Sequence, residues 1–285
     1  SSFRISTKRQ YKNYKYTSQE MNEIIGSYIL SKNKLKVKLN NPDLNLIVEL
    51  VKGRAYIGYQ QCLGLGGLPV GSGEKAMSLI SSGIDSPVSS FKLIKRGVDV
   101  SYIHFHSYPA TSKKSIENVK AILTKLNKYQ FQSHLITVPL LNAQQTIMEL
   151  TPEKYWMILF RRMMLRIAEW FAHDNNAKVL ITGENIGQVA SQTLSNISAI
   201  SNAIEMPIIR PLAGYNKEEI ISYAKKIGTY NISIKPYDDC CSFFIPKHPK
   251  TMSQINEIIS LEEKYDYNKL TNSAIQSSTT ELIKD

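Results

Sequence analysis

The stretch "LISSGIDSPVSS", residues 79–90, connects a short apolar run to a pattern typical of a helix start. A strand that ends in small residues and opens into a helix directs several backbone N–H groups towards one point, where the helix N-terminus adds partial positive charge. Gly83 permits close backbone approach, and Ser81 and Ser86 carry hydroxyl donors. The stretch predicts an anion site, with an ordinary helix whose dipole is stabilised by Asp85 as the alternative. It is not a Walker loop, because no Gly-Lys-Ser/Thr follows.

Beyond residue 70 the chain alternates between apolar runs of strand length and helical patterns. The runs are "AMSLIS", "VDVSYIHFH", "SHLITVPL" and "AKVLITG", and the longest helical pattern is "EKYWMILFRRMMLRIAEWFAH". This alternation predicts an α/β fold with a parallel sheet and helices on both faces. Ligands of such folds bind beyond the carboxyl ends of the strands, and Ser81, His104 and Thr182 fall at those ends.

The first 70 residues predict a separate, small α+β unit. "FRISTKR" reads as a strand, and the helix "TSQEMNEIIGSYIL" begins with a capping box formed by Thr17 and Glu20. "KLKVKLN" alternates strictly, which predicts a strand with its leucines and Val37 inside and a row of lysines outside. Two further strands, "LNLIVELV" and "RAYIGYQ", precede the Gly/Pro-rich "GLGGLPVGSGE". We therefore expect domains at residues 1–70 and 71–250, followed by a helical, charged tail at 251–285.

Charge and composition narrow the class of partner. The net charge is +11, and residues 1–70 hold eleven Lys/Arg against four Asp/Glu. This asymmetry predicts a polyanion partner, although a row of lysines on a solvated face is the simpler interpretation. No apolar run reaches about 18 residues, so no membrane span is expected. Three cysteines are too few for a disulfide framework and fit a reducing cytoplasm.

The order of short motifs resembles one enzyme family. "GGLPVG", "GIDSPV", "KRGV", "HFHS", "RRMMLRIAE", "TGENIGQVASQT", "MPIIRPL", "IGTYNISI" and "PYDDCC" follow one another over nearly the whole chain. Together they resemble the tRNA 4-thiouridine synthetases, or tRNA uracil 4-sulfurtransferases, of the ThiI family. The loop itself resembles the PP-loop of the N-type ATP pyrophosphatases, Ser-Gly-Gly-x-Asp-Ser, except that Ser82 stands at the first glycine.

The resemblance implies a two-part architecture. A THUMP domain, an RNA-binding module, would precede a Rossmann-like PP-loop ATP pyrophosphatase domain of the adenine nucleotide alpha hydrolase type. The ferredoxin-like domain that precedes THUMP in the family is expected to be missing. The chain also matches the short form of the family, without a rhodanese-like domain.

The implied reaction uses ATP and Mg²⁺ to adenylate O4 of uridine 8 in tRNA, after which sulfur replaces that oxygen. Asp85 is the implied Mg²⁺ ligand, Lys217 stabilises the adenylation transition state, and Cys240 is the sulfur-transfer thiol, with Cys241 as its neighbour. The family has Asp where this chain has Asn216. The implied nucleotide contacts are Leu79, Ile80, Ser81, Ser82, Gly83, Asp85, Ser86, His104, Phe105, Arg161, Gly183 and Gln192. The residues expected to bind tRNA are Arg4, Lys8, Arg9, Lys12, Lys34, Lys36 and Lys38.

Several partners and alternatives accompany this interpretation. The resemblance implies a cysteine desulfurase as sulfur donor, a homodimer, a cytoplasmic location and, for some members, a role in thiamine thiazole synthesis. Singly, each site residue has a simpler explanation: a buried strand end for His104 and Phe105, an ion pair on a helix for Arg161, a surface position for Lys217. Another PP-loop ligase acting on tRNA, such as a lysidine synthetase, and a degenerate RNA-binding protein without catalysis remain as alternative functions.

Overall fold

The computed structural model describes residues 1–60, 62, 64–236, 244 and 246–284. The chain divides into two compact units, Ser1–Gly66 and Gly67–Asp285. Across the described residues, no helix combines the length and the apolar character that crossing a bilayer requires.

The first unit is a four-stranded sheet with one helix packed on it. The strands occur in the order β2-β1-β3-β4, in which β1 is parallel to both neighbours and β3 and β4 are antiparallel. The elements are β1 (Ser2–Arg9), α1 (Ser18–Lys32), β2 (Lys36–Val37), β3 (Leu44–Val51) and β4 (Arg54–Gly58). Phe3, Ile5, Val48 and Leu50 form the core under α1. The predicted capping box of Thr17 and Glu20 is confirmed.

The predicted lysine-rich strand is wrong in both length and burial. Only two residues of it, β2, pair with β1, and both are exposed. Val37 and Leu39, predicted to lie inside, are 52% and 67% exposed. Because β2 is an edge strand paired on one side alone, alternation in the sequence was not sufficient to bury one of its faces. Lys34, Lys36 and Lys38 are exposed, as expected.

The second unit contains a six-stranded sheet in the order β10-β7-β6-β5-β8-β9. Strands β5 to β9 are parallel, and β10 is antiparallel to β7. The strands are β5 (Lys75–Leu79), β6 (Asp99–His106), β7 (Gln132–Pro139), β8 (Val179–Ile181), β9 (Ile208–Ile209) and β10 (Thr279–Lys284). The chain moves from β5 through β6 to β7 on one side and then to β8 on the other. The topological switch point therefore lies at the carboxyl end of β5, where ligands bind in such sheets.

Helices cover both faces of this sheet, which confirms the predicted α/β class. On one face α2, α3, α7 and α8 pack against each other, and on the other α5 lies between α4, α6 and α10, with α9 against α6. The helices are α2 (Asp85–Ile94), α3 (Lys114–Gln130), α4 (Leu141–Leu150), α5 (Trp156–Asp174), α6 (Leu194–Ser201), α7 (Lys217–Ile227), α8 (Tyr230–Ser233), α9 (Ile255–Glu262) and α10 (Tyr267–Gln276). The core between α5 and the sheet holds Met77, Phe160 and Leu180.

The predicted helical tail is wrong for its last residues. After α9 and α10 the chain forms β10, which extends the sheet by pairing with β7. Ile283 is buried, and Asn127 of α3 donates a hydrogen bond to its carbonyl at 2.9 Å. The stretch "TTELIK", residues 279–284, forms a strand because the edge of β7 would otherwise present unpaired backbone groups.

A buried ion-pair cluster fastens α9 to α5. Arg162 donates to Glu262 at 2.6 Å, and Arg166 donates to both oxygens of the same carboxylate at 2.5 and 2.8 Å. Arg162 and Glu262 are 2% and 4% exposed. Burial opposes the ionisation of Glu262, but the two guanidiniums together hold the pKa of its carboxyl below the ordinary 4.5. The carboxylate is therefore charged in the folded protein at neutral pH.

Glu262→Gln is expected to lower the free energy of unfolding by roughly 3–5 kcal/mol at pH 7, because it leaves buried arginines without their charge partner. Since the folded pKa lies below the unfolded one, this stabilisation exists above the unfolded pKa and is lost as the pH falls through the folded value. The gap between wild type and variant, measured by urea unfolding, should therefore narrow as the pH drops below about 4.

Glu263→Gln is the matched control, since Glu263 is the exposed neighbour of Glu262. Its free energy of unfolding should stay within about 0.5 kcal/mol of wild type. If Glu262→Gln lowers the free energy of unfolding by the same amount at pH 7 and pH 3, the assigned ion pair is contradicted.

Candidate active site

A cavity of about 300 Å³ opens at the switch point of the six-stranded sheet. Its walls come from the carboxyl ends of β5, β6 and β8, the start of α2 and one side of α5. The lining residues are Leu79, Ile80, Ser81, Gly83, Asp85, Ser86, His104, Phe105, Arg161, Met164, Leu165, Thr182, Gly183, Glu184, Gln192 and Ile200. Residues far apart in the sequence are thus brought to one point by parallel strands.

The loop between β5 and α2 is closed by its own serines. Ser86 Oγ accepts the backbone N–H of Ser81 at 2.9 Å and lies 3.1 Å from Ser81 Oγ. The N–H of Gly83 donates to Ser81 Oγ at 3.3 Å. Helix α2 begins at Asp85, so its first backbone N–H groups have no intrahelical acceptor and carry the positive end of the helix dipole. The loop is ordered by its hydroxyls, and the helix start supplies the donors for an anion.

Gly183 lets the end of β8 approach this loop. A Cβ at that position would lie 2.7 Å from the backbone nitrogen of Ser86 and 2.8 Å from its Cα. Both are backbone atoms, so a side chain could be accommodated only by moving the start of α2. Ser89 adds a bond from α2 to the same strand end, donating to the Thr182 carbonyl at 2.7 Å. The position therefore requires glycine.

Ser82 occupies its position without backbone strain. Positive φ among the described non-glycine residues occurs at Asn41, Phe131 and Asn176, and Ser82 is not one of them. Its side chain is fully buried, and its hydroxyl has no hydrogen-bond partner among the described residues. It does not line the cavity, unlike Ser81 and Gly83 on either side. The serine at this position therefore requires no strained backbone but leaves one buried hydroxyl unpaired among the described residues.

Asp85 lies where the loop meets α7. Lys217, the first residue of α7, contacts one carboxylate oxygen of Asp85 at 2.6 Å, and Gln188 donates to the other at 2.9 Å. A cation at a helix N-terminus is disfavoured by the dipole, so Lys217 is held there by this ion pair. The two helix starts carry opposite charges beside one another, which suits a ligand with several negative oxygens.

An aromatic clamp holds α7 against α2. The ammonium of Lys92 donates to the hydroxyl of Tyr215 at 2.8 Å and lies over the rings of Tyr215 and Tyr223 at 4.2 and 3.9 Å. Tyr215 immediately precedes the α7 cap residue, Asn216, whose N–H donates to Glu219 at 2.8 Å. The clamp fixes the start of the helix that carries Lys217.

Glu184 joins two arginines beside the cavity. Arg161 contacts one of its carboxylate oxygens at 2.8 Å, and Arg210 and Thr182 donate to the other at 2.7 and 3.1 Å. Burial opposes its ionisation, but Arg161 and Arg210 hold the pKa of its carboxyl below the ordinary value. Glu184 is therefore a buried anion, and the cluster retains one net positive charge.

Two histidines, His104 and His106, lie near the end of β6. His104 Nδ1 lies 2.9 Å from the carbonyl of Ile80, so this nitrogen carries the proton. His104 is 1% exposed, and Phe105 beside it is also buried. Burial lowers the pKa of His106 to about 4, with His104 and Lys113 adding to the effect. His106 is uncharged at neutral pH.

In the first unit, the two arginines expected to bind RNA have structural partners. Arg4 donates to the Leu39 carbonyl at 2.9 Å and to Asn45 at 3.3 Å. Arg9 donates to the carbonyls of Lys12, Tyr14 and Tyr16 at 3.5, 3.4 and 2.9 Å, which closes the loop "YKNYKY". Lys8 is 75% exposed and lies 3.6 Å from Glu49.

Family models match both units. One described as "Thiamine biosynthesis protein (ThiI)" matches residues 71–267, and one for the THUMP domain matches residues 1–60. The Bacillus licheniformis protein named "Probable tRNA sulfurtransferase" is 42% identical over 282 residues, which is 99% of this chain and 70% of that protein. This chain belongs to the ThiI family.

Solved structures agree with this assignment. A 4-thiouridine synthetase in complex with RNA and bound ATP superposes with a TM-score of 0.90 at 42% identity, covering 99% of this chain and 74% of that one. A Pyrococcus horikoshii protein, at 23% identity and a TM-score of 0.56 over 80% of this chain and 65% of its own, shares the fold. The predicted family and enzyme class, a tRNA sulfurtransferase, are confirmed.

The ThiI-family cavity gathers most of the residues predicted for nucleotide binding. All of them line it except Ser82, which is buried behind the loop, while Lys217 reaches it through Asp85. Cys240 and Cys241 lie outside the described residues. Among residues 1–60, 62, 64–236, 244 and 246–284, no group of three or more His, Cys, Asp or Glu side chains could hold a metal.

Sequence reasoning missed three residues of this ThiI-family site. Glu184 and Gln188 belong to the quoted motif "TGENIGQVASQT", and Arg210 to "MPIIRPL", yet none was assigned a role. A carboxylate directly after Gly183 at a strand end was the available signal for Glu184. Its two arginine partners come from α5 and from the residue after β9, so the sequence offered no sign of the pairing.

Gly183→Ala is expected to weaken the binding of pyrophosphate roughly tenfold or more, because the added Cβ displaces the start of α2. Titration calorimetry with pyrophosphate measures the change in affinity. Gly214→Ala is the control, since a Cβ at Gly214 meets nothing within 4 Å. Unchanged pyrophosphate affinity in Gly183→Ala would show that the loop beside Gly183 is not the anion site.

Proposed function

We propose that the protein uses ATP to adenylate O4 of uridine 8 in tRNA and then replaces that oxygen with sulfur, giving 4-thiouridine. The observation that carries this proposal is the cavity in which the loop of residues 81–86, Asp85 with Lys217, and Arg161 converge at the switch point. ATP is a substrate of this reaction, and the solved relative described above holds ATP and RNA together.

The residues of the cavity fit an adenine nucleotide. The start of α2 provides N–H donors for phosphate oxygens, and the glycine at 183 keeps that approach open. Nε of Arg161 is buried without a hydrogen-bond partner among the described residues, although Arg161 lines the cavity. Leu79, Ile80 and Phe105 offer an apolar surface for a base. The unstrained loop at Ser82 supports a functional site over a degenerate RNA-binding protein.

Adenylation makes the uracil oxygen a leaving group. O4 of the uridine attacks the α-phosphorus of ATP, an O4–P bond forms, the bond to the bridging oxygen breaks, pyrophosphate leaves, and the N3 proton of the base is lost to solvent. Negative charge develops on the phosphate oxygens in this step, and the ammonium of Lys217 is suited to stabilise it. Mg²⁺ would be held by the carboxylate of Asp85 and would neutralise charge on the phosphates.

The second step replaces the activated oxygen by sulfur. A persulfide on Cys240 attacks C4, the C4–O4 bond breaks, and AMP leaves with that oxygen. A second thiol, which we assign to the donor protein, then attacks the Cys240 sulfur and leaves the transferred sulfur on the base. The resulting disulfide is reduced by a cellular thiol. A persulfide suits this step because it ionises more readily than a thiol.

The chain on either side of Cys240 is anchored to elements of the cavity. Ser233 Oγ donates to the carbonyl of Gly83 at 3.2 Å, and the ring of Phe244 packs edge-on against Phe160, the neighbour of Arg161, at 6.3 Å. The described residues that flank Cys240 in the sequence therefore contact the loop at Gly83 and the helix α5.

The remaining parts of the proposal concern partners. We assign tRNA binding to the basic unit at residues 1–70, the chemistry to residues 71–250, and the charge on exposed lysines to contacts with RNA phosphates. A cysteine desulfurase would supply the sulfur, and a homodimer would allow the RNA-binding unit of one subunit to serve the other. The enzyme would act in the cytoplasm, where its tRNA substrate is, and the same persulfide could serve thiazole synthesis for thiamine.

Cys240→Ser should abolish 4-thiouridine formation when sulfur comes from cysteine through a desulfurase, because no persulfide can form at residue 240. Adenylation precedes that step, so the variant should still release pyrophosphate when mixed with ATP, Mg²⁺ and tRNA. Mass analysis of tRNA nucleosides measures the first quantity and a coupled pyrophosphate assay the second. Free sulfide should restore some product, since it can attack the adenylate directly.

Cys241→Ser is the matched control and should retain thiolation with the protein donor. Production of 4-thiouridine at the wild-type rate by Cys240→Ser would exclude a covalent role for that cysteine. Pyrophosphate release by wild type without any 4-thiouridine would instead point to another PP-loop ligase.

Replacing Lys34, Lys36 and Lys38 together by Gln should weaken tRNA binding at low salt. If each lysine contacts one phosphate, the slope of log affinity against log salt should decrease in magnitude by roughly 2–3 units. Filter binding of tRNA between low and physiological ionic strength gives this slope.

The control removes three exposed lysines from the second unit, Lys128, Lys178 and Lys264, and matches the loss of net charge. Equal slopes in the two triple variants would mean that net charge alone, and no specific lysine row, attracts tRNA.

A further inference from the structure

Buried carboxylates paired with arginines occur on two sides of α5. Arg161 and Arg162 are consecutive, so their side chains diverge by about 100° around the helix. Arg161 contacts Glu184 at the cavity, and Arg162 contacts Glu262 in the core beneath α9. The two glutamates have the same chemistry and similar burial, 6% and 4% exposed, but Glu184 lines the cavity and Glu262 does not.

We propose that Glu184 is a positioning residue that orients the guanidinium of Arg161 towards the phosphates or the adenylate of the bound nucleotide. This inference rests on the proposed function, since it takes ATP as the ligand of the cavity. Glu184 itself is not a catalytic residue, because both of its carboxylate oxygens are engaged by protein donors.

Two donors other than Arg161 hold the carboxylate of Glu184 in place. Arg210 and Thr182 both donate to Oε2, which leaves Oε1 for the NH1 group of Arg161 at 2.8 Å. A carboxylate bound on one oxygen by two donors presents the other in a defined direction. A long arginine side chain otherwise loses conformational freedom when a ligand orders it, which weakens binding.

The orientation leaves part of the guanidinium for a ligand. Arg161 NH1 is bound to Glu184, while its Nε is buried and has no partner among the described residues. With 23% of its side chain exposed, Arg161 reaches the cavity wall. The exposed part of the guanidinium at that wall is available to an anionic oxygen of the nucleotide, with which it would form a charge-assisted hydrogen bond.

The charge of the cluster fits an anionic ligand. Arg161 and Arg210 carry two positive charges, and Glu184, ionised because the pair outweighs its burial, carries one negative charge. The ion pair of Asp85 and Lys217 has no net charge of its own, so the surplus positive charge of this cluster is not cancelled by it. Removing the carboxylate of Glu184 would leave the positive charge of Arg161, but the guanidinium would no longer be held in one orientation.

The test compares Glu184→Gln with Glu262→Gln, which makes the same change at the same helix away from the cavity. Both variants lose a buried carboxylate between arginines and should lower the thermal midpoint. Only Glu184→Gln should raise the KM for ATP, roughly tenfold, with kcat for 4-thiouridine formation within about threefold of wild type. Direct titration of ATP should show the same loss of affinity.

A double-mutant cycle tests whether Glu184 acts through Arg161. Arg161→Met alone should raise the KM for ATP at least as much as Glu184→Gln, and adding Glu184→Gln to it should cause no further increase. Losses that multiply in the double variant would overturn the proposal, as would equal KM values in Glu184→Gln and Glu262→Gln.

Glu184→Asp keeps the inference testable if Glu184→Gln does not fold. It retains the buried negative charge but withdraws it by one methylene, so the KM for ATP should rise roughly threefold. An unchanged KM would overturn the positioning role. Wild-type protein that binds ATP yet forms no 4-thiouridine would refute the proposed function, while the ATP titrations would still decide the role of Glu184.

Discussion

The close approach of Gly183 to Ser86 is the constraint on which the site depends. The backbone at the end of β8 lies so near the start of α2 that a single methyl group would meet two backbone atoms at less than 3 Å. Because β5 and β8 are neighbours in the parallel sheet, this contact fixes the loop between β5 and α2 relative to both strands. Two further charged groups lie next to this junction: Asp85 at the start of α2, and Glu184 on the residue after Gly183.

Electrostatics then distinguish the two sides of α5. Both Arg161 and Arg162 are paired with a buried glutamate, so neither side leaves an isolated charge inside the protein. In the core, Glu262 accepts three hydrogen bonds from Arg162 and Arg166 and serves to attach α9. At the cavity, Glu184 shares its oxygens with Arg161 and Arg210, and this cluster keeps one surplus positive charge. The same kind of pairing thus attaches a helix on one side of α5 and, under the proposal made above, orients a guanidinium for the nucleotide on the other.

The charged side chains of the first unit have different roles. Its core is small, and the guanidiniums of Arg4 and Arg9 are used to bind backbone carbonyls and so order its loops. The lysines that remain exposed carry charge without a fixed geometry, which suits a polyanion whose backbone presents phosphates at regular intervals. In the proposed function, contacts of this kind position the tRNA, and they carry no information about its bases.

Periodicity and short motifs determined the α/β class, the strands β5 to β8, the capping box of α1 and the loop at residues 81–86, because each depends on neighbouring residues in the chain. They also determined the family, through the order of its motifs. Tertiary structure alone decided the rest. The strand β10 forms because β7 offers an open edge, and β2 is an edge strand that pairs with β1 over two residues. Glu184 is hydrogen-bonded to Arg161 and Arg210, which lie 23 and 26 residues away in the sequence. Such pairings depend on which strands lie side by side, and no local pattern of apolar and polar residues encodes that order.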